Sequence, residues 1–202
     1  MTKAASPLLP EGLRDRLPNE AEAATRVTRA LMDAMRAHGY RRVAPPLAEY
    51  RETLAGDADD PAAGDLLRFT DPVSRRTLAI RPDMTRQVGR IVTSRLSAAP
   101  RPLRLSYSGQ VAKLAASALW PEREMLQVGA ELIGNDSVAA VAEVLRVAVE
   151  ALTAAGASGI TVDLTLPDLV DTLAAGPFPL PAGSQETRFR RLRRRMGRHF
   201  FP

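Results

Sequence analysis

The segment REMLQVGAELIG, Arg123 to Gly134, decides how the chain folds. A strand points successive side chains to opposite faces. One face of this segment then carries Glu124, Leu126, Val128, Ala130 and Leu132, a largely apolar row suited to a core. The other carries Arg123, Met125, Gln127, Gly129 and Glu131. A cation, an amide and a carboxylate with a glycine between them suit the floor of a site for a small zwitterion. Glutamate can hold an ammonium, glutamine can bond a polar side chain, and glycine leaves room. The same alternation is also ordinary for an antiparallel sheet with one face in water. The spacing leaves both readings open.

Working outward, Leu103, Leu105 and Tyr107 alternate as a partner strand, and Lys113 to Pro121 reads as the loop between the two. Leu67 and Phe69, then Leu78 and Ile80, alternate around Asp71-Pro72-Val73-Ser74 and predict a β-hairpin. Pro82 and Asp83 open a helix whose Met84, Val88, Ile91 and Val92 share a face, and Pro100 and Pro102 bracket its end. Asp136 to Ala155 is a second helix with a broad apolar stripe of Val141, Val144, Leu145, Val149 and Leu152, and Gly159 to Leu166 follows as a third strand. Near the start, Asn19 with Glu22 three residues on reads as a capping box. It opens a helix on which Ala24, Val27, Leu31, Met35 and His38 recur until Gly39. Pro45 and Pro46 make Tyr40 to Pro46 extended, and Asp57 to Asp65 reads as a loop. Hairpin-linked strands with helices alongside predict an α+β domain on a mostly antiparallel sheet.

A second polar cluster lies in IRPDMTRQ, Ile80 to Gln87, where a strand runs into a helix. Asp83 and Thr85 can cap that helix. They can equally add a carboxylate and a hydroxyl to a pocket on the same sheet, and Arg81 can serve either use.

Composition narrows the chemistry. The chain has 202 residues, 45% of them hydrophobic, with no cysteine and only two histidines, His38 and His199. Disulfides, thiolate metal sites and cysteine nucleophiles are excluded, and a histidine metal site or Ser-His-Asp triad has almost no material. No cofactor is expected. No run of about 20 apolar residues suggests a membrane span, and the N-terminus lacks a signal-peptide pattern, so a soluble cytoplasmic protein is expected. The net charge of +5 invites a nucleic-acid partner. Ser184 to Pro202, however, hold seven arginines and one glutamate, a net +6, so the first 183 residues sum to −1. The expected organisation is a domain over 1–183 and an arginine-rich segment over 184–202. That segment reads as a solvated tail, as the product of a shifted reading frame or truncation, or as an RNA-binding tail whose only stacking residues are Phe189, Phe200 and Phe201.

Five blocks taken in order resemble a known arrangement: LLPEGLRD near the start, GYRRVAPPLAEY (Gly39 to Tyr50), LAIRPDMTRQVGRI (Leu78 to Ile91), LRLSYSGQVAK (Leu103 to Lys113) and PEREMLQVGAELIG (Pro121 to Gly134). They are similar to the first part of the histidyl-tRNA synthetase catalytic core, and more so to its non-aminoacylating paralogue, the regulatory subunit of ATP phosphoribosyltransferase. The resemblance runs from about Leu8 to Gly183. It implies the class II aminoacyl-tRNA synthetase-like fold, an antiparallel sheet flanked by helices, with self-association through the Pro46 to Glu49 stretch. It also implies a histidine pocket on Asp83, Thr85, Gln127 and Glu131, the two clusters already singled out, with Lys113 as a fifth candidate for the site. The carboxylates would hold the ammonium, and Thr85 and Gln127 would orient the ligand.

Lys113 stands where class II synthetases carry an arginine that grips ATP and the carboxylate. A lysine keeps the charge and loses the bidentate fork. Leu114 to Glu122 add no basic residue. The synthetase's later ATP- and histidine-binding motifs are not found in these 202 residues. The resemblance therefore implies a regulator without catalytic activity. Its partner would be the short-form ATP phosphoribosyltransferase catalytic subunit in a hetero-oligomer. Histidine would be the effector that restrains the first step of histidine biosynthesis. A histidyl-tRNA synthetase fragment and an RNA-binding protein acting through the arginine tail are the competing readings.

Overall fold

In this computed structural model, the structure describes residues 8–55, 66–115 and 121–164. Helix α1 (Pro18–Ala37) begins with proline at its first position and Leu17 as the N-cap, with no side chain bonded to the cap. Asn19 is therefore inside the first turn, and the expected capping box does not form. Proline's fixed φ suits that first position and moves the helix start ahead of Asn19. Glu20 instead pairs with Arg14, whose Nη1 donates to Oε2 at 2.7 Å. Gly39, with φ +81°, ends the helix in a conformation that favours glycine.

Strand β1 (Arg41–Arg42), β2 (Ala48–Tyr50) and helix α2 (Arg51–Ala55) follow, then the expected hairpin of β3 (Arg68–Thr70) and β4 (Thr77–Ile80). Asp71 organises its turn by accepting from the backbone of Val73 and Ser74 at 3.2 and 3.0 Å. Helix α3 (Thr85–Ser94) leads to β5 (Leu103–Ala112), β6 (Glu124–Ile133) and helix α4 (Val138–Ala154). Ser137 caps α4, its Oγ accepting from Ala140 N at 3.2 Å.

The strands form two sheets, β1-β5-β6 and β2-β4-β3. The long pair β5–β6 is antiparallel without interruption from Leu103↔Ile133 to Ala112↔Glu124, and β1 runs parallel to β5. Gly159 to Leu164 form no strand, and the rest of that expected element, Thr165 and Leu166, lies outside the described residues. Val162 and Leu164 are exposed there. Side-chain alternation supplies no backbone partners, and a strand requires them. The expected Asp57 to Asp65 loop and the arginine segment 184–202 also lie outside the described residues.

Helices cover both faces of β5–β6. On one, Met84, Val88 and Val92 pack against Leu105, Tyr107 and Val111, with Met125 and Ile133 alongside. On the other, Met35, Tyr40 and Val147 pack against Val128 and Ala130. The polar row of β6 is thus not a free solvated face but the floor beneath the start of α3. No described helix is long and apolar enough to cross a membrane.

Candidate functional site

The two polar clusters meet where α3 begins. Asp83, in the turn after β4, accepts from the Thr85 backbone N at 2.7 Å through Oδ1 and from Gln127 Nε2 at 2.5 Å through Oδ2. The other end of the Gln127 amide, Oε1, accepts from Met84 N at 2.9 Å. Asp83 therefore both orders the helix start and joins the pocket cluster, so the two uses open in the sequence are combined. Thr85 and Glu131 are joined through Tyr107. Its hydroxyl lies 3.2 Å from Glu131 Oε1 and 3.3 Å from Thr85 Oγ1. A carboxylate can only accept, so the phenol donates to Glu131 and Thr85 donates to the phenol.

Tyr107 stands directly opposite Gly129 in the β5–β6 register. A Cβ at position 129 would meet the Tyr107 ring at 2.5 Å from Cζ and 2.8 Å from Cε2. The room that glycine leaves is therefore taken by a phenol. Burial above all, with the charges of Glu131 and Asp83 and against the hydrogen bond from Thr85, pushes the Tyr107 phenol up to about 12. It remains a donor to Glu131 throughout the neutral range. Tyr107 has a role the sequence reading did not assign. The signal was its cross-strand position opposite Gly129, which appears only once the two strands are placed in register.

Four of the five expected site residues, Asp83, Thr85, Gln127 and Glu131, are thus brought together. Lys113 is not. It follows the end of β5, four residues beyond Gly109, the cross-strand partner of Gln127. That places it about 13 Å further along the strand. Its described contacts are backbone ones to Arg123, the Lys113 N–H donating to Arg123 O at 2.8 Å. Arg123 also leaves the polar row, its guanidinium donating to the carbonyls of Lys113 and Glu11 at 3.3 and 3.4 Å. Gly12 is pressed against its side chain, 2.6 Å from ideal Cβ to Cγ.

Arg81 takes neither of its expected uses. It is buried, and donates to the carbonyls of Gln110, Pro45 and Pro46 at 2.7, 2.8 and 3.3 Å. Burial pushes its guanidinium below the ordinary value, opposed by the charge of Glu49. Gln87 Nε2 and Arg90 Nε both reach Glu49 at 2.9 Å. Arginine, with several fixed donors, can satisfy three carbonyls at once and so ties Pro45 and Pro46 to Gln110 on β5, while Gln87 and Arg90 tie Pro46 and Glu49 to α3.

Asp83 and Glu131 stay without a cationic partner among the described residues. Two half-buried carboxylates held within one cluster favour a ligand that brings positive charge. Among the described residues no group of histidine, aspartate and glutamate side chains is placed to hold a metal ion.

This floor of paired antiparallel strands with a helix starting over it defines a class II aminoacyl-tRNA synthetase-like domain. It superposes with a TM-score of 0.66 on the Bacillus halodurans structure titled ATP phosphoribosyltransferase regulatory subunit/histidyl-tRNA synthetase, at 32% identity over 79% of this chain and 40% of that one. A histidine–tRNA ligase subunit from Alicyclobacillus acidocaldarius gives 0.65 at 30% identity, over 78% of this chain and 44% of that one. The family model described as histidyl-tRNA synthetase matches residues 12–198, and the chain belongs to that family. Within it, the ATP phosphoribosyltransferase regulatory subunit of Rhodospirillum centenum is 49% identical over 166 residues, 82% of this chain and 43% of the relative. That of Paramagnetospirillum magneticum is 47% identical over 176 residues, 87% of this chain and 46% of the relative. The chain thus spans less than half the length of these curated relatives.

Proposed function

We propose that the chain is the core portion of a non-catalytic regulatory subunit of ATP phosphoribosyltransferase. In this reading it associates with the short-form catalytic subunit, supports the first step of histidine biosynthesis, and transmits feedback inhibition by histidine. The observation that carries the effector site is a pair of carboxylates, Asp83 and Glu131, that have no cationic partner among the described residues and are set on a sheet floor with Gln127 and Thr85. Histidine brings an α-ammonium and an imidazole with an N–H donor. One oxygen of Glu131 and the remaining lone pairs of Asp83 accept such donors, while Thr85 and Gln127 fix orientation. Regulation then follows from unequal affinity of histidine for two states of the assembly. The names of relatives at 45–49% identity support the same reading.

The placement of Lys113 outside the cluster weighs against aminoacylation, since a lysine lacks the bidentate fork of an arginine and Arg81, which lies over Gly109 of the floor, is taken up by backbone carbonyls. Self-association through Pro46 to Glu49 is part of the proposal. Leu47 is 48% exposed there, and Tyr50, Leu78 and Phe69 form a cross-strand row beside it with Tyr50 and Phe69 exposed. The protein is read as cytoplasmic.

The test is co-purification with a short-form catalytic subunit, followed by phosphoribosyl transfer assays with and without histidine. Association with histidine-sensitive transfer is expected. Histidine-dependent pyrophosphate exchange with ATP, and no association, would point to the synthetase-fragment reading instead. Steeply salt-dependent RNA binding lost on removal of 184–202 would point to the tail.

A further inference from the structure

Between α1 and the sheet, on the face of β5–β6 opposite Asp83 and Glu131, lies a cavity of about 480 Å³. Small-molecule sites ordinarily span about 300–1,000 Å³. A helix that covers a sheet places apolar residues three and four apart along its covering side. Met32 and Met35 of α1 follow that rule and join the core, but the same row continues towards the N-terminus as Arg29, Thr28 and Thr25. The facing positions of β5 are Ser108 and Gln110, so both walls of the cavity are polar. Leu126 and Met32 add apolar surface at its floor and end.

The positive charge lining this cavity has no counter-charge. Among the described residues Arg29 makes no ion pair or hydrogen bond, and the Arg42 side chain donates to Ser108 alone, Nη2 to Oγ at 3.3 Å. The carboxylate that reaches the cavity, Asp33, is paired with Arg36 at 3.1 Å. Thr25 and Thr28 donate to Ala21 and Ala24 of their own helix at 2.9 and 2.7 Å. The Ser108 hydroxyl accepts from Arg42 and keeps its own proton to donate. The Gln110 Oε1 is enclosed and accepts from nothing among the described residues. An enclosed acceptor without a donor is unfavourable, so turning this amide towards a bound molecule breaks no hydrogen bond it needs. Two guanidiniums on one cavity favour a ligand with two negative charges. A phosphate monoester carries about −1.5 to −2 near pH 7, and its oxygens match the guanidinium fork. A lone phosphate would leave most of the volume empty, and the floor of Leu126 and Met32 suits a carbon skeleton.

We propose that the cavity between α1 and β5 binds the phosphate monoester of a small sugar. Arg29 and Arg42 hold the phosphate, Ser108 donates to it, and Gln110 bonds a sugar hydroxyl. The site lies on the other side of the sheet from the Asp83–Glu131 cluster and is independent of whether that cluster takes histidine.

The test is calorimetric titration of ribose 5-phosphate into the 202-residue chain, with ribose, inorganic phosphate and succinate as comparison ligands. Saturable one-to-one binding of ribose 5-phosphate is expected, at least about tenfold tighter than that of each comparison ligand. Arg29→Gln and Arg42→Gln are each expected to weaken it at least about tenfold, with unchanged circular dichroism spectra and urea midpoints. Gln110→Leu is expected to reduce the preference for ribose 5-phosphate over inorganic phosphate about fivefold. Arg146→Gln, at an exposed arginine of α4, should leave binding unchanged. Absence of saturable binding would overturn the proposal, as would binding that survives both arginine replacements. Succinate or inorganic phosphate bound as tightly as ribose 5-phosphate would overturn the sugar-phosphate assignment. Equal weakening by Arg146→Gln would reduce the effect to diffuse surface charge and overturn it as well.

Discussion

Replacing Gly129 with alanine probes the junction between the strand floor and the polar cluster. The added methyl would lie 2.5 Å from Tyr107 Cζ and 2.8 Å from Cε2, well inside van der Waals contact, so the ring must leave its place. Overpacking of this kind costs about 1–3 kcal/mol. Displacing the ring also strains or breaks the Tyr107 bonds to Glu131 and Thr85, each worth about 1 kcal/mol. Against this, alanine gains about 0.5–1 kcal/mol over glycine in a strand by restricting the unfolded chain. The balance is a loss of about 2 kcal/mol. Tyr107→Leu removes the ring atoms that clash, so in that background Gly129→Ala should be neutral or stabilising by about 0.5 kcal/mol. Urea unfolding of the four proteins of the cycle measures the coupling, expected at about 2 kcal/mol. Additive effects would refute the packing of Tyr107 over Gly129 and, with it, the link that joins Thr85 to Glu131.

Two further outcomes test other parts of the structure. The Tyr107 phenol, raised from 10 to about 12 in the fold, stays protonated where the unfolded chain has lost that proton, so stability should fall with rising pH between about 10 and 12. The difference in urea midpoint between the parent and Tyr107→Phe should shrink across that range, and a pH-independent difference would contradict it. Arg81→Lys keeps a charge but cannot reach the carbonyls of Gln110, Pro45 and Pro46 together, and should cost about 2 kcal/mol in the same assay. A change within about 0.5 kcal/mol would show that the buried guanidinium does not tie Pro45 and Pro46 to β5.

Much of the architecture follows from residue pattern. The alternations over 67–80, 103–107 and 123–134 became β3–β4, β5 and β6, and the apolar spacing after Pro82 became α3. Where pattern failed, a backbone property was responsible. Pro18 set the start of α1 ahead of the Asn19–Glu22 pair, and Gly159 to Leu164 alternate without forming a strand. In the candidate site, periodicity placed Asp83, Thr85, Gln127 and Glu131 on a face or turn and left their use open, and only the family resemblance implied that they share one pocket. Three details were not legible. Tyr107 owes its role to cross-strand register, Arg123 is drawn away by the carbonyls of Glu11 and Lys113, and Lys113 falls past the strand end. These depend on contacts between segments distant in sequence, which single-segment periodicity does not carry.

The effector site is tested most directly by histidine inhibition of phosphoribosyl transfer in the assembly of this chain with the short-form catalytic subunit, comparing the parent with Glu131→Gln. The substitution keeps the shape of the side chain and removes one of the two carboxylates of the cluster. The proposed function predicts that histidine inhibits the parent assembly, and that Glu131→Gln assembles and turns over normally yet needs at least about tenfold more histidine, a loss of about 1.4 kcal/mol. Inhibition by histidine at the same concentration in both would contradict it.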